Sequence, residues 1–505
     1  MNQDDPQTPP VALTGISGLD DILRGGLTPD RLYLVEGTPG TGKTTLGLGF
    51  LLAGAQGGES GLYITLAETE VELRAVGLTH GWSLDALTIF EMVPAEGLGE
   101  DQEQTLLHPS EVELGETVRA IMSKVDEIRP HRVVIDSLSE LRLLAQSPIR
   151  YRRQILALKH YFSKRRCTVL VLDDKTASGS DLQLHSIAHG VIALEQTLSG
   201  FGAQRRRVHV AKMRGVRYRG GYHDFEIEPG GLQVYPRLVA AEHDGGFEDE
   251  FVSTGSPALD SLLGGGLARG TSTLLTGPAG VGKTTTAVQC LLAALRRGES
   301  AVYFLFDERL PTLIKRSAAL GMDLRPFIDS GMLRIRTIDP AELSPGEFAA
   351  SVRAAVERDG AGTVLIDSLN AYLQSMPSEQ FLVLQMHELL SYLGQRGVVT
   401  LLILGLHGIM GDIRSDVDLS YLADSAVQLR YFEAFGEVRQ AISVIKTRTA
   451  RHERTIREFQ IGPGGLRLGE PLREFQGVLT GLPSYSGSAQ TLMAAQLGSG
   501  SHDAA

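Results

Sequence analysis

Short unbroken apolar runs alternate with longer helical patterns along the whole chain. The first half contains the runs RLYLVEG, RVVIDS and TVLVLDD, and the second half contains TSTLLTG, TVLIDS and VVTLLILG. Runs of this length without polar alternation predict β-strands that are buried on both faces. Strands that alternate with helices along the sequence form mainly parallel sheets with helices on both sides. The pattern therefore predicts an α/β fold in each half.

The two halves repeat the same landmarks in the same order. At the offset that aligns Lys43 with Lys283, TGISGLDDILRGGL falls on TGSPALDSLLGGGL and LYITLAET falls on VYFLFDER. At slightly smaller offsets, VVIDSLSEL, AKMRG and FEIEPGGLQV match VLIDSLNAY, IKTRT and FQIGPGGLRL. Such ordered self-similarity indicates a duplicated domain. We expect a first domain over residues 11–239, a second over residues 240–480 and a flexible, small and polar tail over residues 481–505.

Each half contains one glycine-rich loop of the phosphate-binding type. GTPGTGKTT and GPAGVGKTT both fit the pattern of a glycine, four free positions and Gly-Lys-Thr. Backbone N–H groups of such a turn point at phosphate oxygens, the next helix adds its positive N-terminal end, and the lysine reaches the β- and γ-phosphates. The predicted nucleotide-binding residues are Gly37, Thr38, Pro39, Gly40, Thr41, Gly42, Lys43, Thr44 and Thr45, and Gly277, Pro278, Ala279, Gly280, Val281, Gly282, Lys283, Thr284 and Thr285.

A magnesium ion at each loop needs a hydroxyl and a carboxylate. Thr44 and Thr284 supply the hydroxyls, and Asp136 and Asp367 end the apolar runs VVID and VLID, where a metal-orienting acid belongs. The thirteen histidines and two cysteines show no metal-ligand spacing, so Mg²⁺ is the only metal that we expect. Neither Asn-Lys-x-Asp nor Thr-Lys-x-Asp, the guanine-reading patterns, occurs, so the predicted nucleotide is ATP.

Hydrolysis also needs a general base that aligns and deprotonates the attacking water. Glu68 and Glu308 end the strand that follows each phosphate-loop helix. In RecA-like folds this strand end faces the γ-phosphate. Both glutamates are therefore candidates for the base.

Cations must stabilise the charge that develops on the transferred phosphoryl group. Lys212 and Arg214 are two residues apart, as are Lys446 and Arg448, and on a strand this spacing places both cations of a pair on one face. Each pair lies far in sequence from its own phosphate loop. We therefore expect a neighbouring subunit to present them, which would make a ring the active unit.

Composition limits the remaining function classes. A chain of 505 residues with 42% hydrophobic and 21% charged residues suits two or three globular domains. The net charge of −12 argues against a mainly electrostatic nucleic-acid binder, and the basic run YRRQILALKHYFSKRR fits an amphipathic helix with a solvated face. The most apolar run, GVVTLLILGLHGIM, is too short for a bilayer, and the acidic start is no secretory signal. We expect a cytoplasmic protein without membrane contact.

With these motifs in place, the chain resembles the KaiC family of circadian-clock ATPases and autokinases over roughly residues 11–475. The resemblance rests on the doubled GKTT, the IDSL strands, AKMRG and the specific stretch LRYFEAFGEVRQAISVIKTRTARHERTIREF. It implies two tandem RecA-like P-loop NTPase domains, a homo-hexamer of stacked rings and ATP at the subunit interfaces. It also implies slow ATP hydrolysis in the first domain, autophosphorylation in the second and regulatory partners such as KaiB-like proteins.

Two positions depart from the family pattern. The family's phosphorylated serine–threonine pair falls on Ser420 and Tyr421, so the resemblance implies a single phosphorylation site at Ser420. The family's adjacent glutamates fall on Ala67–Glu68 and on Asp307–Glu308. The first domain therefore keeps one candidate base, and Asp307 joins Glu308 as a shorter candidate in the second.

Three functions are compatible with these residues. The leading one is an ATP-hydrolysing, serine-autophosphorylating hexamer whose state is read by partner proteins. The second is a signalling scaffold that ATP assembles, without kinase activity. The third is a RecA-like ATPase stimulated by single-stranded DNA, which is least favoured because no loop combining clustered cations with stacking aromatics is evident in the sequence.

Overall fold

The computed structural model contains one strand order twice. The chain divides into two compact units, Met1–Arg237 and Leu238–Ala505. The structure describes residues 10–92, 109–145, 147–175, 182–197, 202–243, 245–374, 379–406, 421–480 and 484–485.

The first unit is a mainly parallel sheet flanked by helices. Its helices are α1 Ser17–Ile22, α2 Lys43–Gln56, α3 Glu70–Thr79, α4 Pro109–Ile128, α5 Leu138–Ala145, α6 Pro148–Lys164 and α7 Leu182–Ile187. Its strands are β1 Leu32–Glu36, β2 Gly61–Thr65, β3 Leu87–Glu91, β4 Arg132–Asp136, β5 Thr168–Asp173, β6 Gly190–Thr197, β7 Arg205–Met213, β8 His223–Glu228 and β9 Gly231–Tyr235. Within the described residues the sheet has nine strands in the order β3-β2-β4-β5-β1-β6-β7-β8-β9. The pairs from β3 to β6 are parallel, and those from β6 to β9 are antiparallel.

The second unit repeats this architecture. Its helices are α8 Pro257–Leu263, α9 Lys283–Arg296, α10 Leu310–Ala319, α11 Arg325–Asp329, α12 Pro345–Glu357, α13 Leu369–Gln374 and α14 Glu379–Gln395. Its strands are β10 Phe251–Val252, β11 Leu267–Ala268, β12 Ser272–Gly277, β13 Ser300–Leu305, β14 Leu333–Thr337, β15 Ala361–Asp367, β16 Val399–Gly405, β17 Ser425–Ala434, β18 Glu437–Thr447, β19 Arg457–Gly462, β20 Gly465–Pro471, β21 Phe475–Gln476 and β22 Ser484–Tyr485. The main sheet has the order β14-β13-β15-β16-β12-β17-β18-β19-β20, and two short pairs, β10-β11 and β21-β22, stand apart from it.

The apolar runs form the centre of each sheet, as the sequence predicted. RLYLVEG, TVLVLDD and RVVIDS supply β1, β5 and β4, which are adjacent in the first sheet. Tyr33 and Val35 of β1 pack into a core with α2, while Leu32 and Leu34 pack on the opposite face with α4, α5 and α6. Every residue of β1 is buried because helices cover both faces. The predicted α/β fold with tandem RecA-like units is confirmed.

The burial pattern shows what the basic run and the most apolar run form. The basic run forms α6, whose buried residues are Tyr151, Ile155, Leu158 and Phe162, so its apolar stripe faces the core. The first part of the most apolar run forms β16, which is buried along nearly its whole length. Among the described residues, no helix combines the length and the apolar character that a membrane span needs.

Candidate functional site

Each phosphate loop joins a central strand to the helix that follows it. The loop Gly37–Thr45 connects β1 to α2, and the loop Gly277–Thr285 connects β12 to α9. Gly42 and Gly282, which precede the two helices, have φ of 94° and 108°. A Cβ on Gly42 would also lie 2.8 Å from a methyl carbon of Ile227. Glycine is therefore required there both by the left-handed backbone and by the packing.

The lysine of each loop is held by the loop backbone. Lys43 Nζ donates to the carbonyl oxygens of Gly37 at 2.9 Å and Thr38 at 3.0 Å. Lys283 Nζ makes the equivalent contacts in the second loop, at 2.9 and 2.8 Å. Burial lowers the pKa of Lys283. Both ammonium groups are thus kept at the loop and largely out of solvent.

In the first unit one carboxylate oxygen accepts hydrogen bonds from two hydroxyl groups. Thr44 Oγ1 donates to Asp136 Oδ2 at 3.0 Å, and the hydroxyl of Tyr63 donates to the same oxygen at 2.6 Å. Burial raises the pKa of Asp136, and the hydrogen bonds from Tyr63 and Thr44 oppose that shift. The predicted hydroxyl–carboxylate pair is therefore assembled, from β4 and the first residues of α2.

The second unit builds the same cluster. Thr284 Oγ1 lies 2.8 Å from Asp367 Oδ2, and the Tyr303 hydroxyl lies 2.9 Å from it. Burial again raises the pKa of Asp367, against the hydrogen bonds from Thr284 and Tyr303. Neither tyrosine was predicted from the sequence. The signal for them was present, since Tyr63 and Tyr303 stand at matching positions of the aligned segments LYIT and VYFL.

Glu68, which follows β2, is the least engaged of the candidate bases. Its backbone N–H donates to Thr65 Oγ1 at 3.0 Å, which fixes the turn. Its side-chain Oε2 is buried and has no hydrogen-bond partner within the described part of the chain. Burial raises the pKa of Glu68, and the negative charges of Asp136, Glu72 and Asp174 raise it further. A carboxylate in this environment binds a proton more readily than an exposed glutamate does.

The two candidate bases of the second unit are both engaged. Glu308 Oε2 accepts a hydrogen bond from Arg316 Nη2 at 2.9 Å. Burial raises the pKa of Glu308, and the charge of Arg316 opposes the shift. Asp307 accepts a hydrogen bond from the hydroxyl of Ser368. The repeated units therefore differ in the contacts of their candidate bases.

The predicted cation pair of the first unit lies at the segment that leads into β6. Lys212 Nζ donates to the carbonyl oxygens of His185 and, at 2.9 Å, of Ala188. Arg214 Nη2 donates to the carbonyl oxygen of Ser186 at 2.7 Å. Lys212 belongs to β7 and Arg214 directly follows it, and both side chains extend toward this segment. Their contact with a neighbouring subunit's nucleotide stays a prediction.

The second cation pair has matching contacts. Lys446 Nζ donates to the Ala423 carbonyl at 2.8 Å, and Arg448 Nη2 donates to the Tyr421 carbonyl at 3.0 Å. These carbonyls belong to residues three positions and one position after Ser420, the predicted phosphorylation site. Ser420 itself lies outside the described residues.

The phosphate loop of the first unit has one further partner that was not predicted from the sequence. Asp174 Oδ1 lies 2.8 Å from Lys43 Nζ. Asp174 directly follows β5, the strand next to β1 in the sheet. Only the pairing of these two strands brings the residues together, so no local motif pointed to it.

Comparisons with known proteins match both units. The family model of the KaiC ATPase matches residues 12–239 and again residues 252–473. The circadian clock protein KaiC3 of Synechocystis sp. is 26% identical over 487 residues, which cover 94% of this chain and 95% of that protein. The circadian clock protein KaiC2 of the same organism is 27% identical over 475 residues, covering 93% of this chain and 83% of its own.

A further relative is the circadian clock oscillator protein KaiC of Parathermosynechococcus lividus. It is 26% identical over 485 residues, which cover 94% of this chain and 88% of that protein. These proteins are similar to this chain along nearly its full length. Because the family model matches most of the chain, once around each phosphate loop, the chain belongs to the KaiC family of ATPases.

Proposed function

We propose that this KaiC-family ATPase binds Mg²⁺–ATP at both phosphate loops and hydrolyses it. The observation that carries the proposal is the repeated cluster of a loop lysine, a threonine hydroxyl, an aspartate carboxylate and a tyrosine hydroxyl. The donor set fits the group, because hydroxyl and carboxylate oxygens are the ligands that Mg²⁺ prefers. When bound, Mg²⁺ would neutralise phosphate charge.

In the first unit we assign a role to each residue. Lys43 and the N–H groups of the loop bind the phosphates, and Thr44 with Asp136 holds the metal. Tyr63 orients the carboxylate of Asp136 through its hydroxyl. Glu68 accepts the proton of the attacking water. Its buried Oε2, which has no hydrogen-bond partner among the described residues, and its raised pKa favour this role.

In the second unit we propose a phosphoryl transfer to Ser420 of an adjacent subunit. The serine oxygen attacks the γ-phosphorus, the bond from phosphorus to ADP breaks, and Glu308 takes the hydroxyl proton. Two facts support the assignment: Lys446 and Arg448 bind the backbone of the residues after Ser420, and a carboxylate pair stands at the β13 end. Glu308 must leave Arg316 before it acts as a base.

We further propose that the active form is a homo-hexamer, in which Lys212 and Arg214 or Lys446 and Arg448 complete the nucleotide site of a neighbour. The nucleotide and phosphorylation state would then be read by regulatory proteins, as in a clock-type signalling system. The family membership supports this assembly, as does the separation of both cation pairs from their own phosphate loops along the chain. The cytoplasm is the proposed location.

The scaffold function without kinase activity is the alternative that one observation favours. Glu308 is paired with Arg316, and Asp307 with Ser368, so both second-unit bases are occupied in this state. If these contacts persist in the assembled protein, the second unit would bind ATP without transferring phosphate.

The test combines γ-labelled ATP turnover with intact and native mass spectrometry. We expect hydrolysis, one phosphate per chain that is lost in Ser420→Ala, and six subunits per particle in Mg²⁺–ATP. Glu68→Gln in a Lys283→Ala chain should lower the remaining turnover about 100-fold or more. If a strictly monomeric preparation turned over ATP at the full rate, the proposed shared site would be refuted. If no labelled phosphate were found on the protein, the kinase activity would be refuted and the scaffold function would be favoured.

A further inference from the structure

The phosphate-loop lysines of the two units have different neighbours. Lys43 forms an ion pair with Asp174, and the two side chains are 6% and 29% exposed. Among the described residues, no carboxylate forms such a pair with Lys283. In the proposed function this lysine binds the phosphates in both units. The presence or absence of the ion pair therefore changes the local charge at the nucleotide site.

The sheet register shows what replaces Asp174 in the second unit. Glu36, the last residue before the first loop, pairs with Asp173, and its counterpart Thr276 pairs with Leu404. The residue after Asp173 is Asp174, and the residue after Leu404 is Gly405. The second unit therefore has a glycine where the first has the carboxylate.

A second difference between the two units fits the first: a neighbouring residue is adapted to the aspartate in one unit and to the glycine in the other. Ser139 Oγ donates to Asp173 Oδ1 at 3.2 Å and accepts from the N–H of Asp174 at 3.3 Å. The counterpart of Ser139 is Asn370, whose amide exchanges two hydrogen bonds with the backbone of Gly405, at 2.7 and 3.0 Å. A Cβ on Gly405 would lie 3.3 Å from Asn370 Oδ1. The serine leaves room for the aspartate, whereas the asparagine fills that space.

We propose that Asp174 is a positioning residue that shifts the preference of the first site from ATP toward ADP. The proposal rests on the proposed nucleotide binding at this loop. Asp174 competes with the γ-phosphate for the ammonium of Lys43, and two like charges near one cation repel each other. ADP lacks that phosphate and leaves the Lys43–Asp174 pair intact. The second site, with Gly405 at this position, carries no such bias.

The direct test uses Asp174→Asn, which keeps the shape of the side chain and removes its charge. Calorimetric titration of the full chain, with Lys283→Ala to disable the second site, measures Kd for Mg²⁺–ADP and for a non-hydrolysable ATP analogue. We expect Asp174→Asn to raise the ratio of the ADP Kd to the analogue Kd about tenfold. An unchanged ratio, or equal weakening of both ligands, would show a structural role and overturn the proposal.

The reciprocal test transfers the carboxylate to the second unit. In a chain with Lys43→Ala, the double variant Asn370→Ser/Gly405→Asp should lower the same ratio at the second site. Asn370→Ser/Gly405→Asn is its matched control, since it differs only in charge. If both variants fold and their ratios are equal, the charge argument is contradicted.

The same titrations separate this inference from the proposed function. An unaltered chain that binds neither nucleotide refutes the proposed function, and the inference falls with it. An unaltered chain that binds both nucleotides, with a ratio that Asp174→Asn does not move, refutes the inference alone.

Discussion

Acidification should weaken the first unit through one buried histidine, His223, at the start of β8. Its Nδ1 accepts a hydrogen bond from the backbone N–H of Arg237 at 2.8 Å, and its Nε2, 3.1 Å from the carbonyl oxygen of Arg219, donates to that oxygen. These contacts require the neutral ring, because a protonated Nδ1 would face another N–H donor. The contact with Arg219 also anchors the segment that begins at Arg214, directly after β7.

The size of the effect follows from the pKa. Burial lowers the pKa of His223 from 6.5 to about 4, and its side chain is only 1% exposed. As the pH falls, the unfolded chain therefore binds a proton at this histidine before the folded chain does. The stabilisation that the neutral ring contributes is present above pH 6.5 and is lost as the pH falls toward 4. A shift of this size corresponds to about 3 kcal/mol in total, of which about 2 kcal/mol is lost by pH 5.

The assay follows urea unfolding by tryptophan fluorescence at pH 7 and pH 5. The chain has one tryptophan, Trp82, which lies in the first unit, so the signal reports that unit within the full-length protein. His223→Gln removes the titrating group, and its free energy of unfolding serves as the reference at each pH. We expect the advantage of the unaltered chain over this variant to shrink by about 2 kcal/mol at pH 5.

A control variant tests whether the effect is specific. His160→Gln, on the exposed face of α6, removes a histidine with no such burial. The difference between this variant and the unaltered chain should stay the same at both pH values. If the advantage over His223→Gln were equally constant, the reasoning about the buried neutral ring would be wrong.

Two further predictions concern the phosphate-loop clusters. Tyr63→Phe removes the 2.6 Å hydrogen bond to Asp136, and we expect Mg²⁺–ATP affinity at the first site of a Lys283→Ala chain to fall about tenfold, by calorimetry. An unchanged affinity would show that Tyr63 does not orient Asp136. Gly42→Ala should abolish nucleotide binding at the first loop and cost about 2 kcal/mol or more in tryptophan-detected unfolding, because it adds a clash with Ile227 to backbone strain. Gly58→Ala, at φ +79° and with no described atom within 4 Å of the added carbon, is the matched control and should show the strain alone.

Much of the site was predictable because its elements are local. A phosphate loop is one continuous segment between a strand and a helix, so its pattern and its glycines are visible without a fold. The repeat also located Asp136 and Asp367, since both end apolar runs that align across the two halves. The predictions about trans-acting cations and Ser420 stay open, since they concern an assembly and a residue outside the described structure.

The sequence by itself determined the duplicated α/β architecture, because apolar periodicity and phosphate-loop geometry depend on neighbouring residues. Only the tertiary structure decided which charges meet. Parallel strands bring together residues far apart in sequence, and so Asp174 reaches Lys43 while the equivalent position holds Gly405. The same packing leaves Glu68 Oε2 without a hydrogen-bond partner among the described residues and pairs Glu308 with Arg316, although both glutamates occupy the same place in the repeat.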